Sequence, residues 1–210
     1  GLADHEVLHA HQRCAERGTL MAYGVQAAHS RAEAMDRPRA NRLGLWLFFA
    51  SETFLFSAFL SARFVGSGTA KPADLNQPLA LLLTAVLLGS SVSAYLAETS
   101  IAHGDRRGFS RNLWITIFLG IVFLVGVVFE IREAIEYFPP STIYGSSFVA
   151  LIGLHGFHVL TGVIALGVIL NLGRKGHFGV DNHWGAEGTI KYWHFVDLAW
   201  VLIYPTLYLF

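Results

Sequence analysis

The chain has 210 residues, 53% of them hydrophobic and only 14% charged, with a mean hydropathy of +0.47. That balance excludes an ordinary soluble domain and gives no basis for a nucleic-acid partner, so the first test is for membrane spans. Fifteen Lys and Arg offset fifteen Asp and Glu, which leaves the placement of the charges, and not their sum, to carry information.

Residues 1–41 mix polar groups with apolar anchors at roughly helical spacing (Leu8, Leu20, Met21, Val25) and end in "DRPRAN". They are predicted to form a cytoplasmic, partly helical arm. They lack the continuous apolar core of a cleavable signal peptide. His5, His9 and His11 with Asp4 and Glu6 have metal-like spacing, although polar termini often produce such patterns. The single cysteine, Cys14, excludes an intramolecular disulfide.

About 20 apolar residues cross a bilayer core, and five runs qualify: 42–65, 77–102, 112–137, 142–172 and 187–210. The links "GSGTAKPADLNQP", "HGDRRGFS" and "FPPST" are short and force antiparallel neighbours, whereas "GRKGHFGVDNHWGAEG" is long enough for a surface turn or a partner contact. With the N-terminus inside, only Arg63, Lys71 and Arg132 of the basic residues face outward. The prediction is therefore an all-α integral membrane bundle of five transmembrane helices, N-in and C-out, over residues 42–210. Gly89, Ser93 and Ala97 in span two, and Ser57 and Ser61 in span one, form small-residue stripes suited to close helix packing.

Polar groups in these spans narrow the chemistry. Glu52 lies ten residues, roughly 15 Å, from the cytoplasmic end of span one. A lone carboxylate at that depth is costly, so Glu52 is expected to be neutral or hydrogen-bonded. His155 and His158 fall near the middle of span four at similar depth and share one helix face. Haem or copper ligation by them would need an opposing ligand, for which only His194 and His103 are available; Met21 and Met35 lie outside the spans, and no CxxCH site occurs. A hydrogen bond from one of the two histidines to Glu52 is the preferred reading, and it requires spans one and four to be neighbours.

Glu98 reads as an interfacial carboxylate near Arg106 or Arg107, and Glu130, Arg132, Glu133 and Glu136 as a solvated acidic rim or docking surface. In span five, His194 and Asp197 are expected to bridge to another helix or subunit, and Trp193 and Trp200 to belong to an aromatic belt. Walker loops, dinucleotide fingerprints, zincin motifs and nucleophile elbows do not occur.

Three stretches resemble subunit III of the haem–copper respiratory oxidases: "LFFASETFLFSAF", "YGSSFVALIGLHGFHVLTG" and "YWHFVDLAWVLIY". A fourth, "LLGSSVSAYLAETSIAHGDRRGF", matches more loosely. The resemblance implies a helical subunit without a redox centre, packed against catalytic subunit I, whose haems and copper reduce oxygen and pump protons; subunit II or a quinol site supplies electrons. It implies that Glu52 is the carbodiimide-reactive carboxylate of this family, beside a histidine of the HGxH motif, and that the subunit sustains proton uptake with phospholipid as a possible ligand. Longer relatives have seven helices, and the five here match the last five. The setting implied is a bacterial plasma membrane. A quinol oxidase subunit and a stand-alone proton-conducting protein are the alternatives.

Overall fold

A computed structural model describes residues 39–66, 77–137, 139–179 and 183–209. Residues 1–38 of the arm, with its histidine cluster, Cys14, Met21 and Met35, and the link after residue 66 lie outside these, while 39–41 belong to the first helix. Five helices are present among the described residues: α1 (Arg39–Gly66), α2 (Gln77–Ala102), α3 (Arg106–Tyr137), α4 (Ile143–Arg174) and α5 (Trp184–Tyr208). The first four are long and apolar enough to cross a membrane. The 25-residue α5 has the length but carries Glu187, Lys191, His194 and Asp197 along its first four turns.

The chain divides after Ala50 into two compact units. In the first, Trp46 meets Phe49 edge-on with ring centroids 6.0 Å apart. The second holds the remainder of α1 and the other four helices.

Within the second unit, α2 packs on α3 and α5, and α4 packs on α3 and α5, which closes a four-helix ring. The turn from α2 to α3 is tighter than "HGDRRGFS" suggests. Gly104 takes a left-handed φ of 79°, letting Asp105 N–H reach back to the Ser100 carbonyl. The Asp105 carboxylate then accepts from the N–H groups of Arg107 (3.1 Å) and Gly108 (3.0 Å). One residue thus finishes the cap of one helix and starts the next, so α3 begins six residues before the expected 112. Pro139 and Pro140 interrupt the chain before α4, whose N-cap Thr142 accepts from Gly145 N–H at 3.0 Å.

The core is built on fully buried Trp193 and Trp200 of α5, with Phe109, Phe123, Phe148, Leu87 and Tyr208. This corrects the aromatic-belt reading. An indole N–H inside a bundle needs an acceptor, and α2 provides hydroxyls: Trp193 Nε1 donates to Ser90 Oγ at 3.1 Å and Trp200 Nε1 to Thr84 Oγ1 at 2.9 Å. Ser93 Oγ bonds Thr116 Oγ1 of α3 at 2.7 Å.

The small-residue stripes also need correction. Ser93 and Ala97 are buried, but Gly89 is exposed with open space where a side chain would stand, and Ser57 and Ser61 are exposed. The packed face of α2 runs through Ala80, Leu83, Leu87, Ser90, Ala94 and Ala97. Ser93→Leu is therefore expected to destabilise the chain in detergent by about 1–3 kcal/mol through overpacking, and Gly89→Leu to leave its melting temperature unchanged. Equal melting of the two variants would contradict this assignment of faces.

Candidate functional site

The described part of α1 beyond Ala50 meets α4 through an acid–imidazole contact. Glu52, with 18% of its side chain exposed, places Oε2 3.0 Å from His158 Nε2. Phe56, one turn along α1, packs on the same imidazole with ring centroids 5.1 Å apart. Spans one and four are thus neighbours here, and of the two histidines it is His158 that reaches the acid.

The other side of the His158 ring determines its hydrogen-bond polarity. Nδ1 lies 2.8 Å from the Leu154 carbonyl, which can only accept, so Nδ1 carries a hydrogen. In the neutral ring Nε2 is then an acceptor, and Glu52 must supply the hydrogen between the two groups; in the charged ring Nε2 donates to a carboxylate. Either way, a single proton lies between Nε2 and Oε2. The arrangement can hold a proton between α1 and α4 and pass it between acid and imidazole.

Two residues of this cluster were missed in the sequence. Thr161 Oγ1 lies 2.9 Å and Tyr192 Oη of α5 3.1 Å from the His158 carbonyl oxygen, and the two hydroxyls lie 2.8 Å apart; with one hydrogen each, one hydroxyl donates to the carbonyl and the other to its neighbouring hydroxyl. Thr161, three residues after His158 on the same helix, was within reach of pattern reasoning; Tyr192 needed the α4–α5 packing.

His155 takes a different place. It is fully buried, its ring tilted against Trp200 at 4.9 Å and edge-on to Phe123 at 5.6 Å. Neither ring nitrogen has a hydrogen-bond partner among the described residues. The two imidazoles do not suit haem or copper: one spends both nitrogens on Leu154 and Glu52, and the other is enclosed by aromatic rings. Among the described residues no group of three or more His, Cys, Asp or Glu converges as a metal site.

The remaining predicted residues lie apart from the pair. His194 Nδ1 is 2.6 Å from Ser91 Oγ of α2, and Asp197 is 4% exposed one turn further along α5. Glu98 is half-buried, and the charges acting on it are Lys191, Glu187 and His183 rather than Arg106 or Arg107. The reason is that α2 runs antiparallel along the start of α5, where Lys191 and Glu187 already pair. The acidic-rim reading fails for Glu130, which turns inward and is 4% exposed, while Arg132 and Glu136 stay exposed. Arg63 is likewise buried, its guanidinium 4.7 Å over the Tyr144 ring of α4.

A helical fold among the described residues, with four helices long and apolar enough to cross a membrane and an acid–imidazole pair between two of them, defines the class: a polytopic membrane protein. A family model described as cytochrome c oxidase subunit III matches residues 25–210. The chain is 34% identical to cytochrome c oxidase subunit 3 of Corynebacterium diphtheriae over 192 residues, covering 87% of this chain and 94% of that protein. It is 38% identical to the protein of that name from Rattus norvegicus and 40% identical to that from Pisaster ochraceus, in each case over 184 residues, 80% of this chain and 68% of the relative. The chain belongs to the cytochrome c oxidase subunit III family.

Proposed function

We propose that the chain is a non-catalytic subunit of a proton-pumping haem–copper oxidase that reduces oxygen to water with electrons from cytochrome c. It carries no redox centre; haem and copper belong to its partners. It packs against subunit I, with subunit II in the same complex, in a bacterial plasma membrane, with all five helices crossing, N-terminus inside and C-terminus outside. The excess of basic residues on the N-terminal side of the membrane supports that orientation. The observation that carries the reading is the Glu52–His158 contact in a subunit III chain. A proton held between an acid and an imidazole within the spans fits a part in sustaining proton uptake by the complex. The names of the relatives favour cytochrome c over quinol as donor.

The test is purification in mild detergent. The chain should copurify with a haem-containing oxidase that oxidises reduced cytochrome c, and the isolated chain should show no Soret band. Proton movement by the isolated chain in liposomes under a gradient would overturn the accessory role in favour of a stand-alone conductor.

A further inference from the structure

Among the described residues four helices are long and apolar enough to cross a membrane, and α5 is not one of them. Its first half carries Glu187, Lys191, His194 and Asp197, together with the indole of Trp193. Such groups are costly against acyl chains, so α5 needs polar partners along its length. Glu187 and Lys191 pair with each other. Most of the other partners stand on α2.

The contacts between α2 and α5 form a ladder. Gln77 Nε2 donates to the Tyr208 carbonyl at 2.9 Å, Trp200 Nε1 donates to Thr84 Oγ1 at 2.9 Å, and Trp193 Nε1 donates to Ser90 Oγ at 3.1 Å. Ser91 Oγ lies 2.6 Å from His194 Nδ1. Gln77, Thr84 and Ser91 follow one another at seven-residue intervals, close to two helical turns, and so rise along one side of α2. Their partners come in reverse order along α5, as an antiparallel neighbour requires. A slip of one turn, about 5.4 Å, would leave both indole N–H groups without their acceptors.

The two helices are not equivalent in this ladder. Thr84 Oγ1 gives its own hydrogen to the Ala80 carbonyl at 2.8 Å, and Ser90 Oγ gives its hydrogen to the Leu87 carbonyl at 2.6 Å. Both hydroxyls are therefore satisfied within α2 and still present lone pairs to α5. The indole N–H groups can only donate, and they find their acceptors on α2. On the other side, α4 adds Tyr144 Oη, which donates to the Leu207 carbonyl at 3.1 Å, and Thr161 Oγ1, 2.8 Å from Tyr192 Oη.

We infer that α5 is a dependent span: α2 crosses the membrane on its own apolarity, and α5 crosses by docking its polar side chains on the α2 ladder. Lipid supplies no hydrophobic drive between helices, so hydrogen bonds and packing must hold the pair. The inference rests on the reading that all five helices cross with the C-terminus outside.

Labelling of intact cells that express the oxidase with a membrane-impermeant maleimide tests it. Cys14→Ser removes the native thiol, and one new thiol is introduced by Leu209→Cys after α5 or by Ser141→Cys between α3 and α4, both at exposed positions. In this background both sites should label from outside. Adding Thr84→Val, Ser90→Ala and Ser91→Ala should lower the ratio of labelled to unlabelled Leu209→Cys chain about tenfold, the equilibrium equivalent of the interhelical hydrogen bonds removed. Labelling of Ser141→Cys should not change. Ser93→Ala with Thr116→Val, which removes the hydroxyl pair between α2 and α3, should leave both sites labelled. If the triple variant does not accumulate, Thr84→Val with Ser91→Ala is measured in the same way. Equal labelling of Leu209→Cys with and without the ladder overturns the dependence, as does loss of both labels together, which would make the hydroxyls a support of the whole bundle. If Leu209→Cys fails to label even with the ladder intact, while Ser141→Cys labels, it is the crossing of α5 itself that is overturned.

Discussion

Replacing Trp193 by alanine should cost about 3–5 kcal/mol, the largest loss expected from a single truncation in the bundle. Its indole is fully buried and fits against two glycines on different helices. A side-chain carbon added at Gly120 of α3 would stand 2.7 Å from the ring, and one at Gly162 of α4 would stand 2.9 Å from it. One side chain of α5 thus holds α3 and α4 at their spacing while its N–H reaches Ser90 of α2. Lipid gives no hydrophobic drive to close the gap after truncation, so the lost contacts are not recovered. Unfolding of the purified chain in detergent measures the cost, and Gly162→Leu should impair assembly from the opposite side by expelling the ring. Parent-like unfolding of Trp193→Ala would show that the ring does not set the helix spacing.

His158→Leu should destabilise by about 2–3 kcal/mol, somewhat below the 3–5 kcal/mol of a fully enclosed pair that loses one partner, because the Glu52 side chain keeps 18% of its exposure. The loss arises chiefly from stranding the carboxyl of Glu52. It follows that the double variant Glu52→Leu with His158→Leu should be less destabilised than His158→Leu alone, since the group left without a partner is then gone. Glu52→Gln should assemble normally, because an amide N–H can donate to Nε2 while Nδ1 still donates to Leu154. Complete loss of the complex in Glu52→Gln would contradict the hydrogen-bond account, as would equal stability of the single and double leucine variants.

Much of the fold was legible because membrane spans write themselves as long apolar runs, and nine of the ten helix ends fall within three residues of the expected limits. The exception, the early start of α3, depends on Asp105 accepting two backbone N–H groups after a left-handed Gly104. That is a local signal, hidden by the two arginines that make "HGDRRGFS" look like a loop. Errors of facing were commoner than errors of length. Gly89 was assigned to a packed stripe, Glu130 to a solvated rim and Trp193 and Trp200 to an interface. In lipid both sides of a helix are apolar, so hydropathy has little periodicity from which to read the buried side.

Taken alone, the sequence determined that the chain is a helical membrane protein, that a carboxyl and imidazoles lie at matching depth within it, and which family its motifs resemble, because length, apolarity and residue spacing along one helix are properties of the chain itself. The tertiary structure decided the pairings. It brought His158 and not His155 to Glu52, enclosed His155 between Phe123 and Trp200, paired His194 with Ser91 of α2, buried Asp197, and turned Glu130 and Arg63 inward. A histidine and its neighbour three residues on share a helix face, but they point along it at angles that differ by about 60°. Which of the two meets a partner is settled only when another helix takes its place beside them.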